Sequence, residues 1–170
     1  MAADAPLILT LQLDETSFAF FDALRQQYFP PERNFLKAHL TLFHHLPPHE
    51  PMIQGDLENW SSQHSPLNMN VTEVKSIGRG VAYKIDCPLL SDLHKQMQQK
   101  WQAWLEPQDK QKLWPHITVQ NKVSPAEAQK TWAILQASFQ PFGAIGEGLS
   151  LWSYEGGPWK FIRSYAFNKD

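Results

Sequence analysis

The residues His39-Leu40-Thr41-Leu42 return in kind as His116-Ile117-Thr118-Val119. Each stretch is histidine, aliphatic, threonine, aliphatic. Alternation of this period marks a strand with one buried face, because successive strand side chains point to opposite sides. His39 and Thr41 therefore share a face, with Leu40 and Leu42 behind them. His116 and Thr118 share a face over Ile117 and Val119. A chain with two such strands needs a fold that gives both the same surroundings.

The flanking elements repeat as well. Leu7 to Asp14 reads as a strand. Asp14 suits a helix cap over Glu15 to Tyr28, with Phe18, Phe21, Leu24 and Tyr28 on its apolar face. The first motif strand covers about Leu36 to Leu46. A helix to about Gln63 and a strand from Leu67 to Ile77 follow. After the Gly78-Arg79-Gly80 turn the series restarts: strand Val81 to Asp86, then a helix from Pro88 with Leu90, Leu93, Met97, Trp101 and Trp104 as its stripe. The second motif strand spans about Pro115 to Val123. Ser124-Pro125-Ala126-Glu127 starts the next helix with a serine cap, a proline and a glutamate three after the cap. Two strands, Ile145 to Tyr154 and Trp159 to Phe167, close the chain. The repeats are about residues 6–77 and 80–167, a period of about 77. This length implies two lobes, not a solenoid. In a two-fold pair, the His-Thr couples face each other across a cleft.

Composition narrows the chemistry. The net charge of -2 and pI near 6.4 argue against grip on a long nucleic acid duplex through its backbone. One cysteine, Cys87, leaves no internal disulfide and no four-cysteine metal site. There is no signal-like start and no long apolar run, so a cytoplasmic monomer without membrane contact is expected.

Two facing imidazoles with two hydroxyls suit acid–base work on a phosphate. One neutral ring takes a proton from water and the other, protonated, gives one to the leaving oxygen. The hydroxyls of Thr41 and Thr118 can donate to non-bridging oxygens. No metal or cofactor is needed. His44, His45 and His49 lack the partners of a metal site, Lys110 and Lys112 read as a solvated loop, and His64 and His94 are expected on exposed helix faces.

HLTL (39–42) and HITV (116–119), in pseudo-symmetric halves, resemble the hallmark of the two-histidine phosphoesterase superfamily, which includes 2'-5' RNA ligase-like proteins and RNA 2',3'-cyclic phosphodiesterases. The resemblance spans most of the chain. It implies a bilobal α+β fold with two antiparallel sheets flanking a central cleft and helices outside. It also implies His116 as general base and His39 as acid, acting on a cyclic phosphate of a nucleotide or RNA end. A non-catalytic RNA-end-binding module and ligation in the reverse direction are the alternatives. Many relatives carry an arginine five residues after the second histidine; here it is Asn121. Further substrate contacts are expected from Arg33 in the loop before the first motif, from Gln120 (with Lys122) on the His116 face, and from Tyr154, which with Trp152 can stack a base.

Overall fold

Seven strands alternate with four helices among the residues that the structure, a computed structural model, describes (4–170). The order is β1 (Leu7–Leu13), α1 (Glu15–Tyr28), β2 (Leu40–Leu46), α2 (Pro51–Gln63), β3 (Leu67–Ser76), β4 (Val81–Asp86), α3 (Pro88–Trp101), β5 (His116–Gln120), α4 (Pro125–Ser138), β6 (Phe142–Ser153) and β7 (Lys160–Ala166). The caps read from sequence form. Asp14 Oδ2 accepts from Ser17 N–H at 3.1 Å, and Ser124 Oγ accepts from Glu127 N–H at 3.1 Å.

All strand pairings are antiparallel, in the order β2-β1-β6-β3-β4-β5, with β7 also on β6. Exchanging β1, β2 and β3 for β4, β5 and β6 leaves that order unchanged. The expected α+β fold with antiparallel strands in pseudo-symmetric halves is present, and the long strand β6 joins the two expected sheets into one of seven strands. The Gly146–Ser153 stretch of β6 pairs with β1, and its start, Phe142–Gly146, pairs with β3. This shared role extends β6 three residues ahead of the start expected from sequence.

The two ends of the strand order, β2 and β5, come into contact, so the sheet curls into a nearly closed barrel. This closure brings the two motifs together from positions far apart in the chain. One apolar cluster runs through both halves, from Leu9 and Phe43 to Ile117 and Leu149. Helix α1, from the first half, packs on β5 of the second.

Gly80 shows how tightly the second motif strand is held. A Cβ there would collide with the backbone carbonyl of Gln120, at the end of β5. Gly78, in the same turn, takes φ +87° but faces open space. Gly80→Ala should therefore cost about 1–3 kcal/mol or more, because backbone must move. Gly78→Ala pays only for its backbone angle, about 1 kcal/mol. Urea unfolding of the two variants checks the order.

Candidate active site

Both motif strands alternate as read. Leu40, Leu42, Ile117 and Val119 are buried, and His39, Thr41, His116 and Thr118 are partly exposed. Each strand then breaks the alternation at the fourth motif residue. In β2, Thr41 pairs with Thr10 and Phe43 with Leu9, so Leu42 is an extra residue. In β5, Thr118 pairs with Ala82 and Gln120 with Val81, so Val119 is extra. A bulge of one residue swaps the faces beyond it. Phe43 and Gln120 turn inward, and His44 and Asn121 turn outward.

The two rings are held alike. His39 Nδ1 lies 2.7 Å from the carbonyl of Lys37, and His116 Nδ1 lies 2.7 Å from the carbonyl of Trp114. A carbonyl only accepts, so Nδ1 carries the hydrogen in both rings and Nε2 is left for a ligand. Each ring also leans on a tryptophan. His39 lies 4.7 Å from Trp159, and His116 stacks on Trp114 at 4.1 Å. Burial lowers the proton affinity of both, against those carbonyl bonds. The His39 pKa falls to about 4, with further lowering by the charges of Arg25, His116 and His44. The ring keeps a partly exposed edge, so water moderates the size of that shift but not its direction. His116 is also lowered, by burial and then by His44.

Thr41 and His116, one from each motif, line one recess of about 200 Å³, together with His44, Asp109, Lys112 and Trp114. His39 lines not this recess but a more apolar one of about 450 Å³, walled by Phe18, Phe35, Trp152, Pro158 and Trp159.

Two buried polar side chains fix the bulges, and each comes from a helix of the opposite half. Arg25 of α1, 4% exposed, donates from Nη1 to the Thr118 carbonyl at 3.2 Å. Its Nε is shared between Leu36 O at 2.9 Å and Asn34 Oδ1 at 2.8 Å. One guanidinium thus ties the approach to the first motif to the second motif. Burial lowers its pKa to about 10, against the raising effect of Asp22, so it remains a cation at neutral pH. Asp22 in turn accepts from the Ala38 N–H at 2.9 Å. These ties to α1 replace strand pairing before His39, which is why β2 starts at Leu40 instead of Leu36.

His94 of α3 does the same for the first bulge. Expected on an exposed face, it is 3% exposed, stacks on Phe43 at 4.5 Å and donates from Nε2 to the Leu42 carbonyl at 2.9 Å. The bulge leaves that carbonyl without a strand partner, so the ring is drawn inside. His94→Phe keeps the stack and loses the donor. It should lower stability by about 1–2 kcal/mol, part of the cost being offset by removal of the unpartnered buried Nδ1. An unchanged urea midpoint would mean the carbonyl finds another donor.

The remaining sequence candidates do not gather at the rings. Gln120 is 1% exposed and donates from Nε2 to Thr131 Oγ1 at 2.8 Å, so it faces α4 and not the cleft. The Val119 bulge is the reason. Lys122 takes φ +65°, beyond the end of the strand. Arg33 is exposed in a short 3-10 turn (Pro31–Arg33). Tyr154 is 46% exposed and lines neither recess, whereas Trp152 lines the apolar one. Lys112, read as solvated loop, lines the recess of Thr41 and His116. Sequence reading weighs His44 only as a metal ligand and passes over Arg25, Asp109 and the tryptophans at positions 114 and 159. For Arg25 a signal existed: it follows Phe21 by one helical turn, on the buried face.

Comparison with known proteins bears on the fold and the family. Across solved structures the chain is similar to TT0787 of Thermus thermophilus (TM-score 0.67, 13% identity, covering 97% of this chain and 99% of that one). It is also similar to a phosphoesterase (TM-score 0.60, 15% identity, 97% and 99%) and to E. coli LigT complexed with 3'-AMP (TM-score 0.56, 14% identity, 97% and 99%). At such identities the likeness is one of fold. No curated protein sequence matches closely enough to add to it. The sequence model of the 2'-5' RNA ligase superfamily, however, matches residues 13–158, nearly the whole chain and both motifs, and the chain belongs to that superfamily.

Proposed function

We propose that this protein is a metal-independent phosphodiesterase that opens a 2',3'-cyclic phosphate on a nucleotide or RNA end. Membership of the superfamily supports a phosphoesterase or ligase-type activity. The observation that carries the finer reading is the matched pair of rings, each with Nδ1 tied to a carbonyl two residues back and Nε2 left for a ligand. E. coli LigT, of similar fold, has been crystallised with 3'-AMP and with phosphate, which fits a phosphate held between such rings.

In the reaction, water attacks phosphorus and gives a proton to Nε2 of the neutral ring. The bond from phosphorus to one ribose oxygen breaks, and that oxygen takes the proton from Nε2 of the other ring. A phosphomonoester remains, the 2'-phosphate if the resemblance holds. Thr41 and Thr118 donate to the non-bridging oxygens and keep the phosphorus in line. The pair ends with its protons exchanged and returns through solvent.

Burial lowers the proton affinity of both rings, so both should titrate below the ordinary value of about 6.5, and the ring that keeps its proton to the higher pH serves as the acid. A nitrogen-15 NMR titration of the rings reads the order: His39 as the ring that keeps it matches the roles the resemblance implies, and His116 reverses them.

The direct test is incubation with 2',3'-cyclic nucleotides and cyclic-phosphate-ended oligonucleotides in EDTA, with chromatography of the products. Phosphomonoester formation is expected. Tight binding without product over hours would replace this reading with a binding module, and joined ends would replace it with ligation.

A further inference from the structure

We propose that His44, aimed by the buried carboxylate of Asp109, is a third imidazole of the cleft and binds a non-bridging oxygen of the substrate phosphate. The inference rests on the phosphodiester reading of the site and adds a residue to it. Its starting point is the pair of bulges. Each bulge turns outward the residue two places beyond it. After the second motif that residue is Asn121, whose Oδ1 is occupied by the N–H of Lys122 at 2.8 Å. After the first motif it is His44, whose half-exposed ring lines the recess of Thr41 and His116.

The surroundings of His44 form a built site. Asp109, 3% exposed, stands in the short 3-10 turn Pro107–Lys110. Its Oδ1 accepts from the backbone N–H of His44 and its Oδ2 from that of His45, both at 2.8 Å. Those two bonds already hold the turn against β2. The ring bond, His44 Nδ1 to Asp109 Oδ1, is longer at 3.2 Å, and the His44 side chain is half exposed. The fold of this segment therefore does not depend on the ring. The ring bond serves instead to orient it: a carboxylate accepts from Nδ1, so Nε2 is the nitrogen turned outward. The charge on Asp109 is secure, because the bonds from His44 and His45 hold its carboxyl below the usual range despite burial.

Position selects the ligand. His44 shares a recess with Thr41 and His116, one residue from each motif, which is where the phosphodiester reading seats the reacting phosphate. An anion there favours the imidazolium form of the ring, which offers it an Nε2–H while Nδ1–H stays on Asp109. Lys112 on the same wall adds a second positive charge.

The test compares the full-length wild type with His44→Ala and His44→Arg, using a 2',3'-cyclic nucleotide for kinetics and inorganic phosphate for binding. Loss of one charge-assisted hydrogen bond should raise KM and the phosphate dissociation constant about 10- to 100-fold in His44→Ala. The fall in kcat should be the smaller effect. The urea midpoint should stay near wild type, and arginine should restore much of the affinity. Phosphate binding, read from the ring signals of His116, is independent of turnover, so a protein that binds phosphate through His44 but hydrolyses nothing would sink the proposed activity and leave this inference standing. Equal phosphate affinity in wild type and His44→Ala, or no phosphate binding by the wild type, would overturn the inference.

Discussion

His39→Ala and His116→Ala are each expected to lower kcat for cyclic-phosphate hydrolysis by about 10²–10⁴-fold, with KM changed far less. Each ring handles a proton only as the phosphorus–oxygen bonds rearrange, so its loss falls on the transition state. The double variant should be little worse than the poorer single one. A base without its acid, or an acid without its base, leaves the proton path incomplete, and groups that act as a unit do not add. The folded state should survive, because both rings are partly exposed and their apolar neighbours on the strand form the core. Single-turnover kinetics on the three variants, with circular dichroism as a control for folding, make the comparison. Full activity in the double variant would dismiss the site, and strictly multiplicative losses would point to two rings working independently.

The second large effect is expected at Arg25, which touches no substrate. Arg25→Met should cost about 2–4 kcal/mol of stability. The methionine fills much of the space, yet it leaves the carbonyls of Leu36 and Thr118 without their donor and loses the contact of the guanidinium with the Phe29 ring at 4.0 Å. Relief from burying a charge offsets part of this. Arg25→Lys should rescue little, because one ammonium cannot span three acceptors set for a planar fork. A second readout separates this role from plain packing. The Arg25 cation helps to hold down the His39 pKa, so in the methionine variant His39 should titrate at higher pH. Urea unfolding measures the first effect and NMR the second. Stability within about 0.5 kcal/mol of wild type, together with an unmoved His39 titration, would remove Arg25 from the support of the site.

Expectations from the chain fared according to how local their causes were. The caps at Asp14 and Ser124 and the inward faces of both motifs depend on neighbours within a few residues, and they formed as read. The face of Gln120 was misread because strand alternation was extended across the Val119 bulge. Nothing within the HITV stretch announces that bulge, which arises where β5 is fitted to β4. His94 was misplaced for a similar reason. Its helix offered an ordinary polar position, and only the carbonyl freed at Leu42 made a buried donor necessary there.

By itself the sequence determined two alternating strands, each with an imidazole and a hydroxyl on one side, and the α+β order of elements around them. Tertiary structure decided that β2 and β5, at opposite ends of the strand order, close on each other. It also decided that Arg25 and His94 anchor the opposite half, and that His44 joins the cleft while Gln120 leaves it. The physical reason is the range of the forces involved. Periodicity and capping are short-range properties of the chain, whereas barrel closure, bulge register and the pairing of buried carbonyls are settled only when distant segments must satisfy one another's hydrogen bonds in a shared core.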